Sequence, residues 1–228
     1  MPVKSEPSFA HTTAVPEPSE ILLSTEPDPT PLVRAVRTDV ARRLADPRFA
    51  ELTRAVSGAV AIRQPSTPEA VTATIDAGTV SLAHGVDAGA ELVAILADDG
   101  GPAEIPEADA ADHPRLTAWL DALLEPSADW VGPAERFWSA LEARSGAPDA
   151  LLVVELESGA QRRFGAEGRA YEIHGRAADL TALLEGRRAL ITEAFERRIL
   201  IRGSFPEISV LSGAAFDVRM GVAEEFDG

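Results

Sequence analysis

The chain predicts an α+β protein, and three observations carry that expectation. Apolar residues recur with a helical period in some segments and alternate with polar ones in others. Hydrophobic residues make up 45% of the 228 positions, enough for one sizeable core or two compact ones. A helix, three strands and a leucine-rich helix occur twice, at a spacing of about 90 residues. Two tandem related halves are therefore expected, although residue identity between them is faint.

Residues 1–31 come first. Prolines at 2, 7, 16, 18, 27, 29 and 31 stand among Ser, Thr and Glu, a composition that buries too little apolar surface to offset chain entropy. They are expected to form a disordered tail. Its one apolar knot, Ile21-Leu22-Leu23, is incidental on this reading, with a docking motif that orders on a protein partner as the alternative.

The first half, residues 32–125, opens with Val33, Val36, Val40 and Leu44 at helical spacing. Asp46-Pro47 then supplies an N-cap and an N1 proline for a second helix bearing Phe49, Leu52 and Val56, closed by Gly58. GAVAIRQ, AVTATIDAG, TVSLAHG and AELVAILAD follow as strands in a meander. Val71, Ala73 and Ile75 alternate with Thr72, Thr74 and Asp76, which leaves one sheet face wet. Asp98 to Pro114 is Gly-, Pro- and acid-rich and predicts a mobile loop. Leu116, Trp119, Leu120, Leu123 and Leu124 then form one helical stripe.

The second half, residues 126–222, starts with a helix carrying Ala134, Phe137, Trp138 and Leu141 and continues in the strands ALLVVELESG, AQRRFG and RAYEIHG. Asp179 is expected to cap a helix whose Leu180, Leu183 and Leu184 share a face, and Gly186 stands at its left-handed stop. Leu190, Ile191, Ala194 and Phe195 predict a second short apolar face, with Arg187, Arg188, Arg197 and Arg198 on the other side or at the ends. Ile199 and Ile201 alternate with Leu200 and Arg202 in a strand ended by Gly203. Ser204-Phe205-Pro206-Glu207 has capping-box spacing for a last helix. Residues 223–228 make a flexible C-terminus.

Composition removes several function classes. The 37 Asp and Glu against 21 Lys and Arg give a net charge of −16, which repels phosphate backbones and anionic lipid headgroups, so no nucleic-acid partner is expected. Without cysteine there is neither a disulfide framework nor a thiolate zinc site. No apolar run has the length of a signal-peptide core or a bilayer span, so a cytoplasmic protein with no integral membrane segment is expected. Phosphate-loop and dinucleotide fingerprints are missing, as is the G-x-S-x-G elbow, and His11, His84, His113 and His174 are scattered. Catalytic residues, a cofactor and a metal are therefore not expected. The acids Asp98, Asp99, Glu104, Glu107, Asp109 and Asp112 lack calcium-loop spacing and are expected to solvate their loop. Adjacent Arg162 and Arg163 point to opposite sheet faces, and Trp119, Trp130 and Trp138 are expected core anchors.

The pieces Asp179-Leu180, Leu183-Leu184-Glu185-Gly186 and Ile199-Leu200-Ile201-Arg202-Gly203 carry a resemblance. Their order resembles the C-terminal half of the sterol carrier protein 2 (SCP2) family of lipid-transfer domains over residues 130–222, with 32–124 as a degenerate second copy. The resemblance implies a mixed or antiparallel sheet covered by helices, and a hydrophobic tunnel for a sterol or fatty acyl chain. By that resemblance its walls would be Phe137, Trp138, Leu183, Leu184, Ile191, Phe195, Ile201, Phe205, Ile208 and Leu211. Two functions follow as expectations: carriage of a lipid-like ligand without catalysis, or an acidic interaction or scaffold module with a filled core and a recruiting tail.

Overall fold

The computed structural model describes residues 21–65, 67–96, 103–125, 127 and 129–222, and it is mixed α+β. In the first half, β1 (Leu22–Thr25), β2 (Ser57–Arg63), β3 (Ala70–Asp76), β4 (Thr79–His84) and β5 (Leu92–Ile95) form one sheet in the order β1-β4-β3-β2-β5. The helices are α1 (Pro31–Arg43), α2 (Pro47–Ala55), α3 (Glu107–Asp112) and α4 (Pro114–Leu124). Asp46 starts α2 as its spacing predicts, its carboxylate accepting from Arg48 N at 2.9 Å. Val33, Val36 and Val40 of α1 and the stripe of α4 bury the sheet face that carries Val60, Ile62 and Ile75. Trp119 anchors that core, its indole nitrogen donating to the Thr53 hydroxyl at 3.0 Å.

The second half contains α5 (Val131–Glu142), β6 (Ala150–Glu155), β7 (Gln161–Gly165), β8 (Tyr171–Gly175), α6 (Ala177–Leu184), α7 (Leu190–Phe195), β9 (Ile199–Arg202) and α8 (Phe205–Met220). Its sheet runs β7-β6-β8-β9. Both halves share a nucleus. β2 lies between antiparallel β3 and parallel β5, and β6 lies between antiparallel β7 and parallel β8. The additions differ: β4 and β1 extend the first sheet beyond its hairpin, whereas β9 extends the second beyond its parallel strand.

Several expectations change. Residues 22–25, placed in the disordered tail, form β1 parallel to β4, with Leu23 packed on the first core. Proline-rich flanks hide this strand, because an edge strand draws its order from its partner and not from local propensity. Residues 1–20 lie outside the described residues. The meander holds for β2, β3 and β4 only, since β5 crosses back to pair with β2 in parallel. Gly58 does not close a helix; it sits in β2 at φ +145°, where a Cβ would lie 2.8 Å from the Leu116 side chain. The expected loop before α4 contains α3, while Asp98 and Asp99 lie outside the described residues.

The largest local inversion is α7. Its expected apolar face is split: Leu190 is buried, but Ile191 and Phe195 are exposed and Glu193 is fully enclosed. Arg188 and Arg198 pair with Glu193 at 3.4 and 3.2 Å and turn that side inward. Asp179 is not the cap of α6, which starts at Ala177; its carboxylate binds Arg188 at 3.1 Å. Gly186 stands as expected at φ +69°. Arg187 N bonds Ala182 O and Gly186 N bonds Leu183 O, the paired bonds of a Schellman stop. The capping box at Ser204 and Glu207 also forms.

Candidate functional site

The side chains expected to wall a tunnel do not share one space. Phe137, Leu183, Leu184 and Leu211 are fully buried among one another and their neighbours in the second core. Ile201 and Ile208 pack on its margin. Trp138 lies at the edge, its ring stacked on Phe164 with centroids 6.2 Å apart, and beside Gly165 of β7. Ile191, Phe195 and Phe205 face outward, Phe195 84% and Phe205 81% exposed. Phe216, which is not among the expected tunnel walls, is 59% exposed and lies about three helical turns beyond Phe205 on the same side of α8. Helix α7 packs against α8, so these aromatics belong to one terminal unit.

The face of the second sheet turned away from its helices follows from register. One row reads Gln161, Val154, His174, Leu200 across the four strands, and the next Arg163, Leu152, Glu172, Arg202. His174 Nε2 lies 2.9 Å from Glu172, and Arg202 approaches the same carboxylate at 3.6 Å. The hydrogen bond to His174 holds Glu172 below the usual carboxylate range. These strands present no serine, threonine or cysteine on that face, so a histidine and a carboxylate stand there without a nucleophile to activate.

A third place was not expected at all. Where the halves meet, a cleft of about 390 Å³ is lined by Arg42, Arg43, Arg136 and Arg187 together with Asp46, Asp129 and Glu185. Asp39 of α1 is buried beneath it, paired with Arg219 of α8 and, at 3.4 Å, with Arg187. Burial pushes the Asp39 carboxyl up, but the Arg219 and Arg187 guanidiniums outweigh that and hold it below its ordinary value. Glu185 binds Arg187 Nε at 3.1 Å and Arg136 at 3.5 Å. Arginines also cap helix ends: Arg42 donates to Val218 O at 2.6 Å and Arg187 to Leu124 O across the junction, and Arg43 donates to Leu123 O within the first half. The sequence held one clue. Asp39 follows Val36 by three positions and precedes Val40, so it interrupts a buried helical stripe with a charge, which demands a partner.

Searches of protein-family models, curated proteins and solved structures found no match to this chain. Among the described residues no helix is long and apolar enough to cross a membrane, and no group of His, Asp or Glu is arranged to hold a metal ion.

Proposed function

We propose that the chain is a non-enzymatic protein-interaction module, built on filled cores and presenting exposed aromatic side chains of its second half to a partner. The observation that carries this reading is the division of the apolar residues around α6, α7 and α8. Leu183, Leu184 and Leu211 are enclosed by protein, whereas Phe195, Phe205 and Phe216 remain in solvent. Large exposed aromatics supply contact area with few rotatable bonds, which is why interface anchors favour them. Carriage of a sterol or fatty acyl chain rests instead on the order of elements that resembles the SCP2 family. Within the interaction reading, the Pro- and Glu-rich stretch before residue 21 is a second recruiting segment.

The test is quantitative capture from extract of the source cells with the wild type and a Phe195→Ser/Phe205→Ser variant, repeated with the purified captured protein. A partner that binds the wild type and is lost from an equally stable variant supports the reading. Undiminished binding by the variant, or a stoichiometric lipid extracted from the wild type, overturns it.

A further inference from the structure

We infer that the outer face of α8 pairs with the same face of a second copy of this chain, antiparallel and about a two-fold axis. The inference rests on the reading of the exposed aromatics as an interaction surface and names their partner. Phe205, Ser209, Ser212 and Phe216 fall within about 60° of one another around the helix, on the side opposite the buried Leu211, Ala214 and Val218. Phe205, Ser209 and Phe216 are exposed and Ser212 is half-buried. The steps between them are four, three and four residues, the repeat that keeps a seam turned toward a partner helix. This series reads the same in both directions. Reversed about a point between Val210 and Leu211, it sets Phe205 against Phe216 of the second copy and Ser209 against its Ser212.

Shape and charge both suit that pairing. The two serines at the centre let the helix axes approach, and a phenylalanine at each end closes over the partner's phenylalanine, so each copy supplies what the other lacks. The only charged residues of α8 are Glu207, Asp217 and Arg219. Glu207 is held in the capping box, Asp217 is paired with Arg144, and Arg219 with Asp39, so the contact encloses no unmatched charge. Each of the four aromatic rings covers about 150–250 Å² when buried. With the remainder of two 16-residue helix faces, the contact comes to on the order of 1,000 Å², the low end for a specific pair, and predicts a weak, concentration-dependent dimer. A net charge of −16 on each copy opposes the encounter at long range.

The experiment is sedimentation of the full chain from about 1 μM to about 500 μM. The mean mass is expected to rise from one chain of 24.1 kDa toward two, and added sodium chloride should move the midpoint to lower concentration by screening the like charges. Phe216→Ser and Ser209→Asp, both at exposed positions and each checked for an unchanged melting temperature, should raise the midpoint about tenfold or more. The first removes an aromatic anchor, and the second sets two like charges at the centre of the contact. A wild type that stays monomeric over the whole range overturns the pairing, as does a dimer that survives both substitutions. A monomeric chain that still captures a different protein through Phe195 and Phe205 overturns the self-pairing alone and leaves the interaction reading standing.

Discussion

The two halves share a nucleus but are held together differently. In the first, the buried polar groups other than Asp39 are threonines, and apolar packing from α1 and α4 onto the sheet suffices. In the second, Glu185 and Glu193 are buried with arginines about them, and Glu155 is buried holding the amides of Glu157 and Ser158 in the turn after β6. The reason is the length of its connectors. Helices α6 and α7 are only 8 and 6 residues long, too short to stand by their own backbone bonds, and the chain between them is pinned by ion pairs. A half built this way keeps its helices in place while leaving aromatics outside. Apolar packing alone would have drawn them in.

The junction is the first place to break that contrast. Asp39→Asn leaves Arg219 and Arg187 without their buried counter-charge and should cost about 3 kcal/mol or more, read by urea denaturation. A loss below about 1 kcal/mol would mean that packing of α1 on α8, and not charge, joins the halves.

Glycine substitutions sharpen the contrast with a smaller effect. A Cβ at Gly186 would sit 2.1 Å from Ala215 O at φ +69°, so Gly186→Val should cost about 2 kcal/mol or more. Gly85 in the first half has φ +94° but nothing within 4 Å, and Gly85→Ala should cost only the backbone strain, about 1 kcal/mol. Equal losses at the two sites would deny the close packing of α6 on α8.

Tyr171 offers a gain. It is buried, its hydroxyl has no hydrogen-bond partner among the described residues, and burial, then the charge of Glu207, pushes its pKa up to about 12. Tyr171→Phe removes an unsatisfied polar group and should stabilise by about 1 kcal/mol in thermal denaturation. A loss of similar size would point to an unseen partner for the hydroxyl.

The smallest effects are in pH. The folded pKa of Asp39 is depressed, so its stabilisation is present above the ordinary 3.8 and is lost as pH falls through the lower folded value. Glu193 is the opposite case: burial raises it against the pull of Arg188 and Arg198. The folded state then holds the proton more tightly, and stability declines as pH rises from 4.5 through the raised value. Glu193→Gln should flatten the slope of stability in that weakly acidic window and leave the strongly acidic one unchanged.

Much of this architecture was legible in the residues. The stop at Gly186, the capping box at Ser204, the cap at Asp46 and the stripe of α4 all rest on local stereochemistry that a few neighbours determine. What escaped depended on residues far apart in sequence. Strand β1 is ordered by β4, the crossover of β5 by the edge that β2 leaves open, and the inward turn of Glu193 by two arginines that look solvent-facing on a helical wheel. The junction cleft was invisible for the same reason, since its arginines come from α1, α5 and the turn after α6. Of the apolar residues singled out around α6 to α8, periodicity marked the burial of Leu183 and Leu184 but not the exposure of Phe195. In so short a helix an ion pair outweighs the apolar face.

The side chains of the second core enclose one another, and on the proposed reading the function lies on the surface. Native mass spectrometry of the full chain, with Leu184→Ala examined alongside by denaturation, tests it most directly. A filled core predicts a wild-type mass equal to that of the bare chain. It also predicts a loss of about 2–5 kcal/mol in Leu184→Ala, as truncation in a packed core produces. A co-purified sterol or fatty acyl mass on the wild type, together with an alanine variant that keeps its stability, would contradict it.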